Sequence, residues 1–400
     1  MVARAHSGIG RRLLMVLLAV VIFGAGVMTG QGRVHLRFGS YTSQNRDLPA
    51  NLDYTSVNEV YNALKDNYDG KLTEAQLLNG LKAGLANAPN DPYTEYFTAA
   101  EAKSFDQQLN QSFSGVGAEL GKDKSGNLIV VAPISDFPAD KAGLKAQDII
   151  TAINGKSTSG MSIDDAVAKI RGKAGTTVKL SLLRAGGQQL DISIKRQNIQ
   201  VPSVDHSVID GNLGYIRITT FADDTSGLIV KAANDLKAQH VKGVILDLRN
   251  NPGGLLSAAV TVSSQWLPDG TTLLQEKRGS TVVQTYQAEG QSPLQGLPTV
   301  VLVNQGSASA SEITAGALHD NKAATIIGVK TFGKGVVQQL INLKDGSELK
   351  VTVASWYRPN GQNINHRGIT PDKSVQPAAD DTAGGSDAQK TAAIDYLEKQ

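Results

Sequence analysis

Thr299-Val300-Val301-Leu302-Val303 is followed at once by Asn304-Gln305-Gly306-Ser307-Ala308-Ser309-Ala310-Ser311-Glu312-Ile313. Five apolar or β-branched residues bounded by a Gly/Asn/Ser cluster read as a buried strand. The segment after the turn opens a helix over Ser309 to His319, because Ser309-x-x-Glu312 has the spacing of a capping box. The same texture repeats outward from this unit. Strand-like runs at Gly214 to Ile218 and Gly243 to Leu248 alternate with helical stretches at Ser226 to Gln239 and Leu256 to Leu267. Such alternation predicts an α/β layer with crossover helices across 198–376. Asp345-Gly346 lies between Val336 to Leu343 and Leu349 to Tyr357 and signals a hairpin.

Upstream the texture changes. From Phe113 to Arg196 short strand-like runs (Leu128 to Ala132, Ile149 to Ile153, Val178 to Leu183, Leu190 to Ile194) surround one helical segment at Ile163 to Arg171, which suggests a separate domain over 113–197. Apolar residues at helical spacing between Val57 and Leu85, with a further short helix at Ala99 to Gln111, predict a small helical module over 54–112. Residues 31–53 read as a linker. Residues 377–400 read as a loose tail ending in a short helix at Ala392 to Lys399.

The amino terminus points to a membrane. Leu13 to Gly30 is an uncharged run preceded by Arg4, Arg11 and Arg12 and followed by Arg33 and Arg37. Its length lies between a secretory signal and a full span, and no clear Ala-x-Ala site ends it, so an uncleaved anchor over 1–30 is expected. The arginine count places the terminus inside and the rest of the chain outside the cytoplasm.

Composition closes several routes. With 39 basic and 37 acidic side chains the formal charge is only +2, which argues against a nucleic-acid partner held by a broad basic field. Cysteine is absent, which removes thiol nucleophiles, disulfides and lipid attachment at cysteine. The six histidines are scattered with no His-Glu-x-x-His, so no metal is expected. Gly328-x-x-x-x-Gly333-Lys334-Gly335 nearly spells a phosphate loop, but Gly335 stands where a Mg²⁺-binding hydroxyl is required. An esterase-type Gly-x-Ser-x-Gly elbow is missing.

What remains is a serine at a strand-to-helix turn. The plain reading makes Ser309 a helix cap. The sharper one makes it a nucleophile beside helix N–H groups that would hold an oxyanion, and from the segment alone the cap is the commoner case. A nucleophilic serine needs a proton acceptor. Lys334 qualifies if a dry pocket keeps its amine neutral, with Gly333 and Gly335 permitting close packing and Phe332 and Val336 supplying the wall; an average lysine is instead a solvated charge. Asp247 to Gly254 is a polar, glycine-rich loop after a strand, either a tight turn with Asp247 and Arg249 paired or an anion hole. Neither spacing nor composition decides between those two.

Six motifs in order then resemble the carboxy-terminal processing proteases, also called tail-specific proteases. They are Asp91 to Thr94, Gly115 to Leu120, Asp247 to Gly254, Gly306 to Ile313, Gly333 to Gln338 and Arg367 to Asp372, and together they span most of 54–376. The resemblance implies a multidomain α/β protein with a PDZ domain and a serine protease core with a mixed sheet. It implies Ser309 as nucleophile, Lys334 as general base, Gln338 as its orienter, and Ala310 with Gly253 or Gly254 as oxyanion donors. Gly115, Val116, Gly117 and Ala118 would bind the terminal carboxylate of a peptide, and Arg171 would couple the PDZ domain to the protease site. The implied partners are protein substrates bound by their carboxy termini and, through 54–112, further copies of the chain; no cofactor is implied. The rival reading is a membrane-anchored PDZ adaptor on an inactive scaffold.

Overall fold

A computed structural model describes residues 48–49, 51–110, 112–209, 211–377 and 387–400. The expected anchor at Leu13 to Gly30, most of the expected linker over 31–53 and residues 378–386 of the expected tail lie outside these residues. Among the described residues no helix is long and apolar enough to cross a membrane. The chain divides into two units, 1–73 and 74–400. In the first, the helix Thr55–Asn67 buries none of its side chains, and Val57, Val60, Tyr61 and Leu64 stay exposed on it. Helical spacing is present there without a core among the described residues to bury it.

The second unit contains the α/β layer. Its sheet has the order Val204–Ile209, Leu213–Ile218, Gly243–Asp247, Thr299–Val303, Thr325–Gly328, Lys373–Ser374; the first pair is antiparallel and every other pair parallel. Both central strands are buried at every position, as expected for a parallel sheet covered on both faces. Alternate residues serve opposite layers. Val244, Leu246, Val301 and Val303 pack toward Thr225–Ala238, Leu256–Ser263 and Ala310–Asp320, whereas Ile245, Val300 and Leu302 pack toward the carboxy-terminal helix Ala388–Leu397. The helix expected through Leu267 ends at Ser263, where the Ser263 and Ser264 hydroxyls donate to carbonyls four residues back. The final helix begins at Ala388 instead of Ala392, because Asp387 caps it by accepting the Lys390 N–H.

A second sheet joins Thr272–Arg278, Thr281–Gln287, Val336–Asn342 and Glu348–Tyr357, the last two forming the expected hairpin. Glu95–Phe97 pairs antiparallel with Glu348–Tyr357 in that sheet. The stretch 54–112 is therefore not helical throughout: its Asp91 to Phe97 portion is fastened to the sheet that carries Lys334's neighbours, and Phe97 is buried in a stack on Phe105.

Residues 118–195 form the domain expected to be of PDZ type, a sheet ordered Ala118–Lys122, Leu128–Pro133, Ile149–Ile153, Thr177–Arg184, Gln188–Lys195 with the helix Ile163–Ile170. Val130, Ile150, Val178, Leu180 and Ile194 make its core. Ser112–Gly115 pairs with Gln197–Gln200, so the two ends of the domain leave as one ribbon. Arg196 is buried beneath it and donates to the Lys169 and Ile170 carbonyls, which satisfies the end of the PDZ helix.

Candidate active site

The loops that follow Gly243–Asp247 and Thr299–Val303 meet at the carboxyl edge of the sheet, the usual place for a site in an open α/β layer. Their side chains stitch them together. Ser307 Oγ donates to the Leu248 carbonyl at 2.8 Å and Ser311 Oγ to the Asn251 carbonyl at 2.9 Å, while Asn304 Nδ2 donates to Asn250 Oδ1 at 2.8 Å. Ser307 and Ser311 are fully buried by this work, and Ser309 between them remains partly exposed. Spacing by two turns the flanking hydroxyls inward and the middle one toward a cavity.

Ser309 does not have the conformation of an ordinary cap. Thr98, which caps Ala99–Leu109, has the usual φ of −60° and ψ of 163°, but Ser309 has φ 51° and ψ −114°. A left-handed non-glycine backbone costs on the order of 1–3 kcal/mol and persists only where the surroundings fix it. Glu312 helps to fix it. This carboxylate is fully buried and accepts four hydrogen bonds: from the Ser309 N–H at 3.0 Å and the Lys334 N–H at 2.9 Å on Oε2, and from the Gly333 N–H at 2.7 Å and the Thr331 hydroxyl on Oε1. Burial pushes the Glu312 carboxyl up from its ordinary range, against those four donors. The expected capping box is thus a bridge between two loops.

The Lys334 loop is packed to the limit its glycines allow. A Cβ on Gly333, whose φ is 92°, would lie 2.7 Å from the Gly368 nitrogen, and one on Gly335 would lie 2.5 Å from the Asn365 nitrogen. The Lys334 carbonyl accepts the Trp356 indole N–H at 3.0 Å, and Lys334 Nζ donates to Gln338 Oε1 at 2.6 Å. Gln338 Nε2 in turn donates to the Tyr93 carbonyl, and the Tyr93 ring lies 5.2 Å from the lysine nitrogen. Burial pushes the Lys334 amine below the ordinary lysine value, Lys350 adds to that, and Asp91 opposes it. Phe332, expected as part of the dry wall, is 59% exposed and points elsewhere; Tyr93 and Trp356 take its place.

Ser309, Lys334, Gln338, Gly253 and Gly254 all line one cavity of about 400 Å³ whose walls include Leu256, Ile313, Val337 and Trp356. No hydrogen bond joins Lys334 Nζ to Ser309 Oγ in this arrangement, since the amine is held by Gln338. The Asp247 to Gly254 loop contains the ion pair expected of a tight turn. Arg249 pairs with Asp247 and reaches Asp387 at 2.7 Å. The Gly253 N–H is already donated to Asn251 Oδ1 at 2.9 Å, but the N–H groups of Gly254 and Ala310 have no acceptor among the described residues. Gly254 has φ 141°, and a Cβ there would stand 2.2 Å from the Phe221 carbonyl oxygen. Gly254→Ala is therefore expected to displace this loop, lowering the melting temperature and cutting peptide turnover at least tenfold, as read by a thermal melt and an initial-rate assay.

Gly115, Val116, Gly117, Ala118 and Arg171 line a second, smaller cavity on the PDZ domain, about 90 Å³, with Leu120, Val167 and Ile170. The Val116 and Gly117 N–H groups have no acceptor among the described residues. Arg171 follows the PDZ helix with its guanidinium 4.8 Å from the Phe113 ring centre. No cluster of three or more possible metal ligands occurs among the described residues. The residues that sequence reasoning missed are Tyr93, Lys350 and the bridging role of Glu312. Asp91 to Thr94 was visible as a motif and Glu312 as a capping partner, but nothing local tied either one to Lys334.

Comparison with known proteins agrees with this architecture. The profile of peptidase family S41 matches residues 212–375, and that of the PDZ domain matches residues 129–184. The carboxy-terminal processing protease CtpA of Bacillus subtilis is 42% identical over 318 residues, 80% of this chain and 68% of that protein. A CtpA-like serine protease of Staphylococcus haemolyticus is 38% identical over 367 residues, 91% of this chain and 72% of that protein. The solved structure of an S41 protease from Bacteroides fragilis shares the fold with a TM-score of 0.56 at 15% identity, covering 88% of this chain and 99% of that one. The chain is accordingly a serine peptidase, and the inactive-adaptor reading falls away. It belongs to peptidase family S41, among the PDZ-containing carboxy-terminal processing proteases.

Proposed function

We propose that this peptidase works through a Ser309–Lys334 pair on protein substrates captured by their carboxy termini outside the cytoplasm. The observation that carries the reading is the shared cavity: a strained, partly exposed serine, a desolvated lysine and the loop of the unengaged Gly254 N–H line it together, and the unengaged Ala310 N–H belongs to the residue next to that serine. Ser309 Oγ attacks the scissile carbonyl carbon as its proton passes to Lys334 Nζ, and the oxyanion is received by the Ala310 and Gly254 N–H groups. Lys334 then gives that proton to the departing amine. Water, deprotonated by the same lysine, cleaves the acyl-enzyme and restores the Ser309 hydroxyl. Gln338 sets the direction of the amine. Neither a metal nor a nucleotide is required.

The PDZ groove supplies the tail recognition. Val116 and Gly117 offer their N–H groups to a terminal carboxylate, with Gly115 and Ala118 flanking them, and an apolar last side chain fits the lining. Arg171, at the mouth of that groove, is the contact through which its occupancy reaches the protease body. Leu13 to Gly30 tethers the enzyme to the membrane, and the uncovered apolar stripe of Thr55–Asn67 serves self-association.

The test uses a peptide ending in a free apolar carboxylate and its amidated twin. Wild type should process the free form faster at sub-saturating concentration, and Ser309→Ala should bind it with unchanged affinity while processing neither. Equal turnover by Ser309→Ala would refute the nucleophile assignment, and equal processing of the two peptides would refute tail capture.

A further inference from the structure

Lys350 is a second lysine in the same cavity, and the proposed chemistry does not route a proton or a bond through it. It lies on Glu348–Tyr357 opposite Leu340, two positions along from the Thr352–Gln338 pair, and Gln338 is the residue that holds Lys334. Its side chain is only 18% exposed. The ammonium is fixed from three directions: Glu95 Oε2 accepts from it at 2.8 Å, and the stacked rings of Phe97 and Phe105 lie 4.9 and 5.4 Å away.

A pair like Lys350–Glu95 contributes little to stability, since one partner is 55% exposed. Its asymmetry matters more. The negative end stands in water, where its field is screened, while the positive end is set into an apolar wall and faces the cavity, where a field persists. We propose that Lys350 is a positioning residue of the catalytic centre, a fixed second cation that holds the Lys334 amine in its uncharged, proton-accepting form. The inference rests on Lys334 being the general base.

The surrounding charges leave this role to Lys350. Val336–Asn342 carries no charged side chain, and Glu95 is the only one on Glu95–Phe97. Ala99–Leu109 contributes Glu101, Lys103 and Asp106, of which Glu101 is bonded to Thr98 and Asp106 acts on Glu348. Glu276, Lys277 and Arg278 sit on the strand that pairs with the far end of Glu348–Tyr357. Glu312 is spent on four donors. Asp91 works in the opposite sense on Lys334, whereas Lys350 reinforces the effect of burial. A neighbouring cation is a recognised way to keep an amine neutral near pH 7.

The experiment compares pH profiles of kcat/KM for wild type, Lys334→Ala, Lys350→Met, Lys350→Arg and Glu95→Gln on one peptide. Lys350→Met keeps the apolar stem and removes the charge. Its acidic limb should move up by about half to one pH unit, a roughly three- to tenfold loss at neutral pH that is recovered on the alkaline plateau. Lys350→Arg should restore the wild-type limb, and Glu95→Gln, which removes a charge already screened by water, should leave the limb close to the wild-type position. An unmoved limb in Lys350→Met, whether activity is unchanged or lost equally at every pH, would overturn the proposal. Should Lys334→Ala keep its turnover, the base assignment itself would fall, and this inference with it.

Discussion

Lys334→Ala is expected to lower kcat/KM for a free-tailed peptide by about three orders of magnitude, without recovery at any pH. General base and general acid steps each contribute roughly 10²–10⁴-fold, and in the proposed mechanism one amine serves both. The loss should not come from unfolding. The backbone N–H of Lys334 is held by Glu312 and its carbonyl by Trp356, so truncating the side chain leaves the loop anchored. In wild type the rate should rise with pH as the amine loses its proton, and because its ionisation lies below the ordinary lysine value, the plateau should arrive before that value is reached. Stability carries the same signature. A lysine whose folded-state pKa is depressed binds fewer protons in the native than in the unfolded chain, so its penalty is full below the folded value and fades as pH climbs toward the ordinary one. Lys334→Met should accordingly melt no lower than wild type at neutral pH, with its relative advantage shrinking in alkali. A wild-type pH limb in the Lys334→Ala enzyme would contradict all of this.

The sequence made the α/β layer readable because parallel strands buried on both faces are continuous apolar runs. Gly243 to Leu248 and Thr299 to Val303 sit within a residue of their observed ends for that reason. Glu95–Phe97 was not readable as a strand of the second sheet. Its partner lies some 250 positions later, and the helix-capping Thr98 beside it dominates the local pattern. The catalytic region divides in the same manner. Ser309 and Lys334 are local signals once a motif is matched, but the wall around the lysine comes from Tyr93 and Trp356, on segments remote in the chain. Phe332, adjacent in sequence, turns to solvent because Gly333 reverses the backbone with φ 92°. Local order nominated the reactive groups, and long-range packing decides which of them is dry.

Glu312→Ala is expected to be the most damaging single substitution for stability and nearly as damaging for turnover. Removing the carboxylate leaves the Ser309, Gly333 and Lys334 N–H groups and the Thr331 hydroxyl facing an apolar void in a site with no exposure to water. Each buried group left unsatisfied costs about 1–3 kcal/mol, and partial relaxation should leave a net loss of roughly 3–5 kcal/mol in a denaturant titration. The kinetic effect follows from the same geometry. Oε2 spans the Ser309 and Lys334 N–H groups, so its removal frees Ser309 from its left-handed conformation and releases the lysine loop together. Glu312→Gln separates these contributions. Its carbonyl oxygen can keep Ser309 and Lys334 while its amide turns toward Thr331, whose hydroxyl oxygen can accept, at the cost of the Gly333 contact and the charge. Turnover should therefore fall in the order wild type, Gln, Ala, with the Gln enzyme losing more stability than activity. If the alanine enzyme turned over peptide at the wild-type rate, the bridge would be a folding device alone, and the alignment of Ser309 with Lys334 would have to be maintained by the Ser307 and Ser311 stitches instead.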